Sequence, residues 1–260
     1  MARVGRSLEK ALAATGNFSR SQAAKLISEN RVTLNGHVCR RPSVRVTASA
    51  DAVAVDGKVI ALAEATARLF RFHKPAGFIT TRSDPLGRPT IFSILPPGLP
   101  PVKTIGRLDM ATEGLLLLTT SGPLARLLEL PSTGMKRTYR ALVATGPERR
   151  ITDAMISSLG EGLKLADGTC FRPILAKGLS LDERQGGKGY QWVHMTLTEG
   201  KKHEVRRAWS HFGFSVTRLV RESFGPFELG DLQPRQAVEI KGSAVEALMN
   251  QLDRAHPHAC

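Results

Sequence analysis

The segment of this 260-residue chain that stands out for chemistry is Gly106-Arg107-Leu108-Asp109-Met-Ala-Thr-Glu113-Gly114-Leu-Leu-Leu-Leu118. It sets one carboxyl group, Asp109, in a loop between a Pro-rich stretch (96–101) and a buried-looking run, Leu115–Leu118. A lone loop aspartate most often caps a turn or meets water, so the case for Asp109 rests on its surroundings. Other chemistries are not signalled. There is no Gly-Lys-Ser/Thr phosphate loop, no dinucleotide fingerprint, and no His-x-Glu with Pro-Cys-x-x-Cys of a zinc deaminase. His194, His203 and His211 are dispersed rather than set at metal-ligand spacing, and they read as surface residues. No metal is expected, and the reaction falls to ordinary side chains.

The elements that must hold such a loop are mixed. Leu69–His73, Leu115–Thr119, Tyr139–Val143, Trp192–Thr198 and Val216–Val220 read as strands, and 122–130, 147–159, 201–211 and 243–254 as helices. Strands and helices do not alternate strictly, which predicts an α+β fold with a mixed, mainly antiparallel sheet flanked by helices. The first sixty residues form a separate pattern. Leu8 and Leu12 share a helix face that Gly16 ends, and Ser19-Arg-Ser-Gln22 is a capping box ahead of Ala23, Ala24, Leu26 and Ile27. Asn35-Gly36 then marks a hairpin, and Val53-Ala-Val55 before Asp56-Gly57 repeats the strand-then-turn signal. The expected organisation is a small helical/β domain over 1–60, a linker over 61–67, a larger domain over 68–255, and a frayed tail over 256–260.

Thirty-seven Lys and Arg against 23 Asp and Glu make the formal charge +14, which points to a polyanionic partner. The excess is concentrated. Residues 1–60 hold ten basic against four acidic side chains, and 201–221 gathers Lys201, Lys202, Arg206, Arg207, Arg218 and Arg221. Two basic zones favour nucleic acid over a uniform solvation shell; in that setting the three histidines are surface or RNA-facing. Arg20, Lys25 and Arg31, on and just past the second helix, are candidate phosphate contacts. No apolar run reaches the roughly 18–20 residues that span a bilayer. The basic start, interrupted by Glu9 and Lys10, is not expected to be a secretory signal. Cys39, Cys170 and Cys260 are too few and too far apart for a disulfide framework and fit a reducing cytoplasm.

The string "SLEKALAATGNFSRSQAAKLISENRVTLNGHVCRRPSVRV" resembles the small RNA-binding domain first seen in a small-subunit ribosomal protein, with Ser21 where relatives often carry a second Arg. Downstream, Gly-Arg-Leu-Asp followed by Thr-Glu-Gly-Leu-Leu-Leu-Leu-Thr is similar to the signature of the pseudouridine synthases that modify ribosomal RNA. "FHKPAGFITTRSDPLGRPTIFSILP", "KRTYRALV" and "LTEGKKHEVRRAW" resemble the same family, in order, over most of 70–225.

The resemblance implies an isomerase. Uridine becomes pseudouridine when the C1′–N1 bond breaks, the base turns, and C1′ rejoins C5. Positive charge develops at C1′, where a carboxylate can stabilise or capture it; uracil leaves with its charge spread over two carbonyls. No group is imported and nothing is oxidised, so no cofactor is implied. By the match Asp109 is catalytic, Tyr139 stacks on the extruded uracil, and Leu219 walls the pocket under it. The first arginine of the Arg206-Arg207 pair is placed against Asp109, where a guanidinium lowers a carboxylate pKa by about 1–3 units. Arg207, Lys201 and Lys202 are expected to hold phosphates. Arg107, Arg82 and Arg88 are expected to hold backbone opened when the base flips. The partner implied is ribosomal RNA, most similarly of the large subunit, with no membrane and a monomeric enzyme. A small-subunit RNA target, or a non-catalytic rRNA-binding assembly factor, is the alternative; an intact Asp109, Tyr139 and Arg206 set argues against the latter.

Overall fold

A computed structural model describes residues 6–62, 67–178 and 189–255, with side chains to 250. Most of the expected linker (63–66) and the tail (256–260) lie outside the described residues. The chain divides into two compact units. One is built on the first 68 residues with Pro100–Lys103 and Thr120–Leu124, the other on the remainder.

In the first unit, β1 (Arg6–Ser7) leads into α1 (Leu8–Ala14) and α2 (Arg20–Ser28). The capping box forms as the sequence signals: Ser19 Oγ accepts from Gln22 N–H, and the Gln22 side chain accepts from Ser19 N–H. Strands β2 (Val32–Leu34), β3 (His37–Val38), β5 (Val53–Val55) and β6 (Lys58–Ile60) make a four-stranded antiparallel sheet, while β4 (Arg45–Val46) pairs with β1. Its two hairpins turn at Asn35-Gly36 and Asp56-Gly57, all four residues at positive φ, as type I′ turns require. Leu8, Leu12, Ala23, Ile27, Val32 and Val53 close the core.

The second unit is a nine-stranded mixed sheet. Its strands are β7 (Leu69–Lys74), β8 (Lys103–Ile105), β9 (Thr112–Thr119), β10 (Arg137–Ala144), β13 (Leu175–Gly178), β14 (Tyr190–Leu197), β15 (Ser215–Phe224), β16 (Phe227–Glu228) and β17 (Ala237–Glu239). The spatial order is β13-β14-β10-β15-β9-β7-β17, with β16 on β15 and β8 on β9. The β9–β15 pair is parallel and the other main pairs are antiparallel. A short ladder of β11 (Leu163–Lys164) and β12 (Cys170–Phe171) stands apart. The helices are α3 (Gly122–Glu129), α4 (Asp153–Glu161), α5 (Glu204–His211) and α6 (Gly242–Ala255). The expected helix over 147–159 begins only at Asp153, where Thr152 accepts from Met155 N–H and caps it. That over 201–211 begins at Glu204, because 201–203 form the turn ahead of it.

Val205, Ala208 and Trp209 of α5 pack on Ala141, Val143, Met195 and Leu219 of the sheet. Trp209 Nε1 donates to Met195 Sδ at 3.0 Å. The parallel pairing sets Leu219 opposite Thr112 and Arg221 opposite Gly114. Gly114 has φ +102°, and a Cβ there would stand 2.3 Å from Arg221 O, so only glycine lets β9 approach β15 this closely. That approach brings the loop ahead of β9 to the edge of the α5 layer.

Candidate active site

Asp109 lies in the turn that enters β9, its carbonyl accepting Thr112 N–H at 3.0 Å. Its side chain is 41% exposed, so the carboxylate is open on one side. The backbone beneath it is held firmly. Lys74, at the end of β7, is fully buried, and its Nζ lies 2.7 Å from Thr112 O, 3.0 Å from Pro75 O, 3.1 Å from Asp109 O and 3.3 Å from Met110 O. Burial lowers the ammonium pKa to about 8 against the pull of the Asp109 and Glu113 carboxylates, and Arg221 lowers it further. At neutral pH it remains mostly charged. Gly77 N–H donates to Met110 O, and Thr80 Oγ1 to Leu108 O, from the chain following β7. The "FHKPAG" string therefore supplies the clamp under the loop. Sequence reasoning matched the string without singling out Lys74; a lysine closing an apolar strand was the available signal.

The resemblance places Arg206 against Asp109. In the structure the Arg206 guanidinium instead donates to the Val216 and Ala111 carbonyls, the latter at 3.2 Å, tying α5 to β15 and to the loop. The planar fork thus satisfies two peptide carbonyls at the junction of α5, β15 and the loop. The side chain that meets the carboxylate is His203, with Nε2 3.5 Å from Asp109 Oδ1. It is exposed, as the sequence suggests, and stands at the N-cap of α5.

Tyr139 is half-buried on β10, opposite Arg221 of β15 and Met195 of β14, and packs on the core that holds Leu219. Its phenol makes no hydrogen bond among the described residues. Leu219 is 4% exposed, a member of that core. Of the surrounding cations, Arg107 and Lys202 are exposed and have no ion-pair partner among the described residues. The others are engaged. Lys201 Nζ donates to Cys170 O and meets Glu199 at 2.9 Å. Arg207 donates to Asp167 at 2.6 Å and to Thr169 at 2.9 Å. Arg82 lies over the Phe92 ring. Arg88 forms a fork with Asp84 (2.9 and 2.8 Å), closing its own loop and holding the Asp84 carboxyl down at about 2. Lys201, Arg207 and Arg88 thus each lie against a neighbouring acid.

The same sorting occurs in the first unit. Arg31 donates to Asp56 at 2.8 and 2.7 Å and meets Glu29 at 3.2 Å, fastening the end of α2 to the β5–β6 turn. Lys25 pairs with Glu29 at 3.7 Å. Arg20, 58% exposed, instead borders a depression lined also by Arg6, Lys10, Ser43 and Arg45, with Glu9 at 3.9 Å.

Comparisons with known proteins agree with this architecture. The profile of the RNA pseudouridylate synthase family matches residues 68–211, and that of the S4 domain matches 6–53. An uncharacterized RNA pseudouridine synthase of Rickettsia bellii is 38% identical over 233 residues, covering 90% of this chain and 96% of that protein. Ribosomal large subunit pseudouridine synthase B of Yersinia pestis is 39% identical, covering 89% of this chain and 71% of that protein. Its counterpart in Pseudomonas aeruginosa is 41% identical, over 86% and 56%. A crystal structure of a pseudouridylate synthase superposes with a TM-score of 0.61 at 26% identity, covering 94% of this chain and all of that one.

Proposed function

Since the chain belongs to the RNA pseudouridylate synthase family, we propose that it isomerises a uridine of ribosomal RNA, in the large subunit, with Asp109 as the catalytic carboxylate. The observation that carries this reading is a loop clamped from beneath by a buried lysine while its one carboxylate stays open above. A carboxylate held this way can meet C1′ of a flipped nucleotide without first reorganising the loop. The large-subunit assignment draws on the relatives named for that activity.

The steps use this chain's own groups. The target uridine is unstacked at a cost of roughly a few kcal/mol. Tyr139 offers an aromatic face on which uracil turns without leaving, and Leu219 supplies the apolar layer beneath. As the C1′–N1 bond breaks, the Asp109 carboxylate stabilises or captures the positive C1′. Uracil then rotates, C5 joins C1′, and the C5 proton is lost while N1 gains one. Arg107 and Lys202, exposed and without ion-pair partners among the described residues, hold the opened backbone, with Lys201, Arg207, Arg82 and Arg88 at the periphery. The first unit supplies RNA affinity through the Arg20 depression, and the protein works as a monomer in the cytoplasm.

The test is pseudouridine mapping by carbodiimide–primer extension on rRNA from cells with the gene, without it, and with Asp109→Asn. The expected result is one large-subunit stop present only with the wild-type gene. A stop that persists with Asp109→Asn removes the catalytic assignment, and a stop in small-subunit RNA replaces the substrate.

A further inference from the structure

The Asp109 carboxylate lies within ion-pairing distance of one basic side chain among the described residues, His203, with Nε2 at 3.5 Å. His203 sits in left-handed backbone, φ +54° and ψ +27°, directly ahead of α5. Non-glycine residues seldom hold that conformation unless the surroundings favour it. Here they do. His203 O accepts Arg207 N–H at 2.8 Å. Lys201 N–H donates to Glu204 Oε2 at 2.9 Å, and Glu204 N–H donates to Lys201 O at 3.3 Å. Glu204 is itself buried. The turn is therefore closed on both sides of His203, and its backbone directs the ring at the loop. Lys74 holds the Asp109 carbonyl.

We propose that His203 is a positioning residue for Asp109, holding the carboxylate oriented until the flipped nucleotide arrives. The inference rests on the reaction proposed above and adds a residue that the family resemblance did not supply. Lys202 and Glu204 flank His203 in the chain, and Arg206 follows on the first turn of α5. The contact is with the Asp109 carboxylate, whose Oδ1 the ring Nε2 meets at 3.5 Å. Both side chains are nearly half exposed, 47% and 41%, so the pair can part as C1′ comes in.

The test uses the full-length protein and His203→Gly, since glycine keeps the left-handed turn without strain and leaves room for a small molecule. His203→Asn, also tolerant of this backbone, is the second variant. Three readouts are compared: single-turnover isomerisation of an rRNA fragment, affinity for that fragment, and the side-chain carboxyl 13C resonance of Asp109 without RNA. The expected result is a rate lower by about 10- to 100-fold with affinity nearly unchanged, partial rescue of His203→Gly by added imidazole, and a displaced Asp109 resonance in both variants. A wild-type rate, equal losses in rate and affinity, or an unmoved resonance overturns the proposal. If the wild-type protein isomerises no uridine, the proposed reaction falls, while the resonance still decides whether His203 and Asp109 are paired.

Discussion

Two loops of the catalytic unit each carry an aspartate and an arginine within a few residues, and they use them in opposite ways. In the 82–88 loop, Arg88 and Asp84 satisfy one another through a two-pronged contact, and the Asp84 side chain is only 5% exposed. In the 106–111 loop, Arg107 and Asp109 do not pair, and Asp109 is 41% exposed. The first loop is closed by its own side chains, whereas the second is held through its backbone by Lys74 and Arg206. A reactive carboxylate needs its loop fixed and its oxygens within reach of a substrate. Anchoring the carbonyls does the first, and a half-exposed carboxyl that meets only the half-exposed His203 ring among the described residues leaves the second open.

Exchanging the two acids gives the sharpest contrast. Asp109→Asn should cut single-turnover isomerisation on the order of 10³-fold or more, the scale of losing a reacting group, while Asp84→Asn changes it by only about a few-fold. Comparable losses from both would erase the distinction. Lys74→Met, similar in length but without donors, should lower the rate by about 10- to 100-fold by loosening the Asp109 turn. RNA affinity should hold, and a rate unaffected by that substitution would show that backbone anchoring is dispensable. Arg206→Ala should cost less, about tenfold in rate and more than in binding. Equal losses in both would recast Arg206 as an RNA contact.

The smallest effect is one of stability and concerns the cap that aims His203. Glu204 is raised to about 8 by burial, reinforced by its bond to Glu199. As a carboxylate its Oε1 would have no donor; as an acid it donates to Glu199. For Glu199 burial works against the charge, but bonds from Arg172 N–H and Lys201 outweigh it and leave that carboxyl below its usual range. A folded-state pKa raised above the unfolded one gives stability that is complete below the unfolded value and is lost as pH climbs through the folded value. Denaturant unfolding should therefore show a decline on the order of 2 kcal/mol between pH 6 and 9. Glu204→Gln should flatten that decline, and an identical slope in both proteins would place the proton elsewhere.

Signals carried by neighbouring residues were legible before any coordinates. The Ser19 capping box, the Asn35-Gly36 and Asp56-Gly57 turns, and the mixed sheet form where the pattern puts them, since each depends on local backbone energetics or on which face is apolar. The boundary of α4 was misplaced because Pro147 to Ile151 is polar enough to pass for a helix start, and Thr152 takes that role. Partner choice was not legible. Arg31 reads as a phosphate contact from its charge and position, and Arg88 and Arg207 from the family resemblance, yet each lies against an acid that only the folded chain reveals.

The chain's residues by themselves determined that Asp109 sits in a loop entering an apolar strand, inside strings that the pseudouridine synthase family shares. Tertiary structure alone decided that Lys74 lies beneath that loop, that Arg206 grips carbonyls, and that His203 faces the acid. The physical reason is range. Turns, caps and amphipathic faces are set over a few residues. The partner of a buried or half-buried polar group is set by strand register and by which carbonyls burial leaves without donors, and both emerge only when distant segments pack.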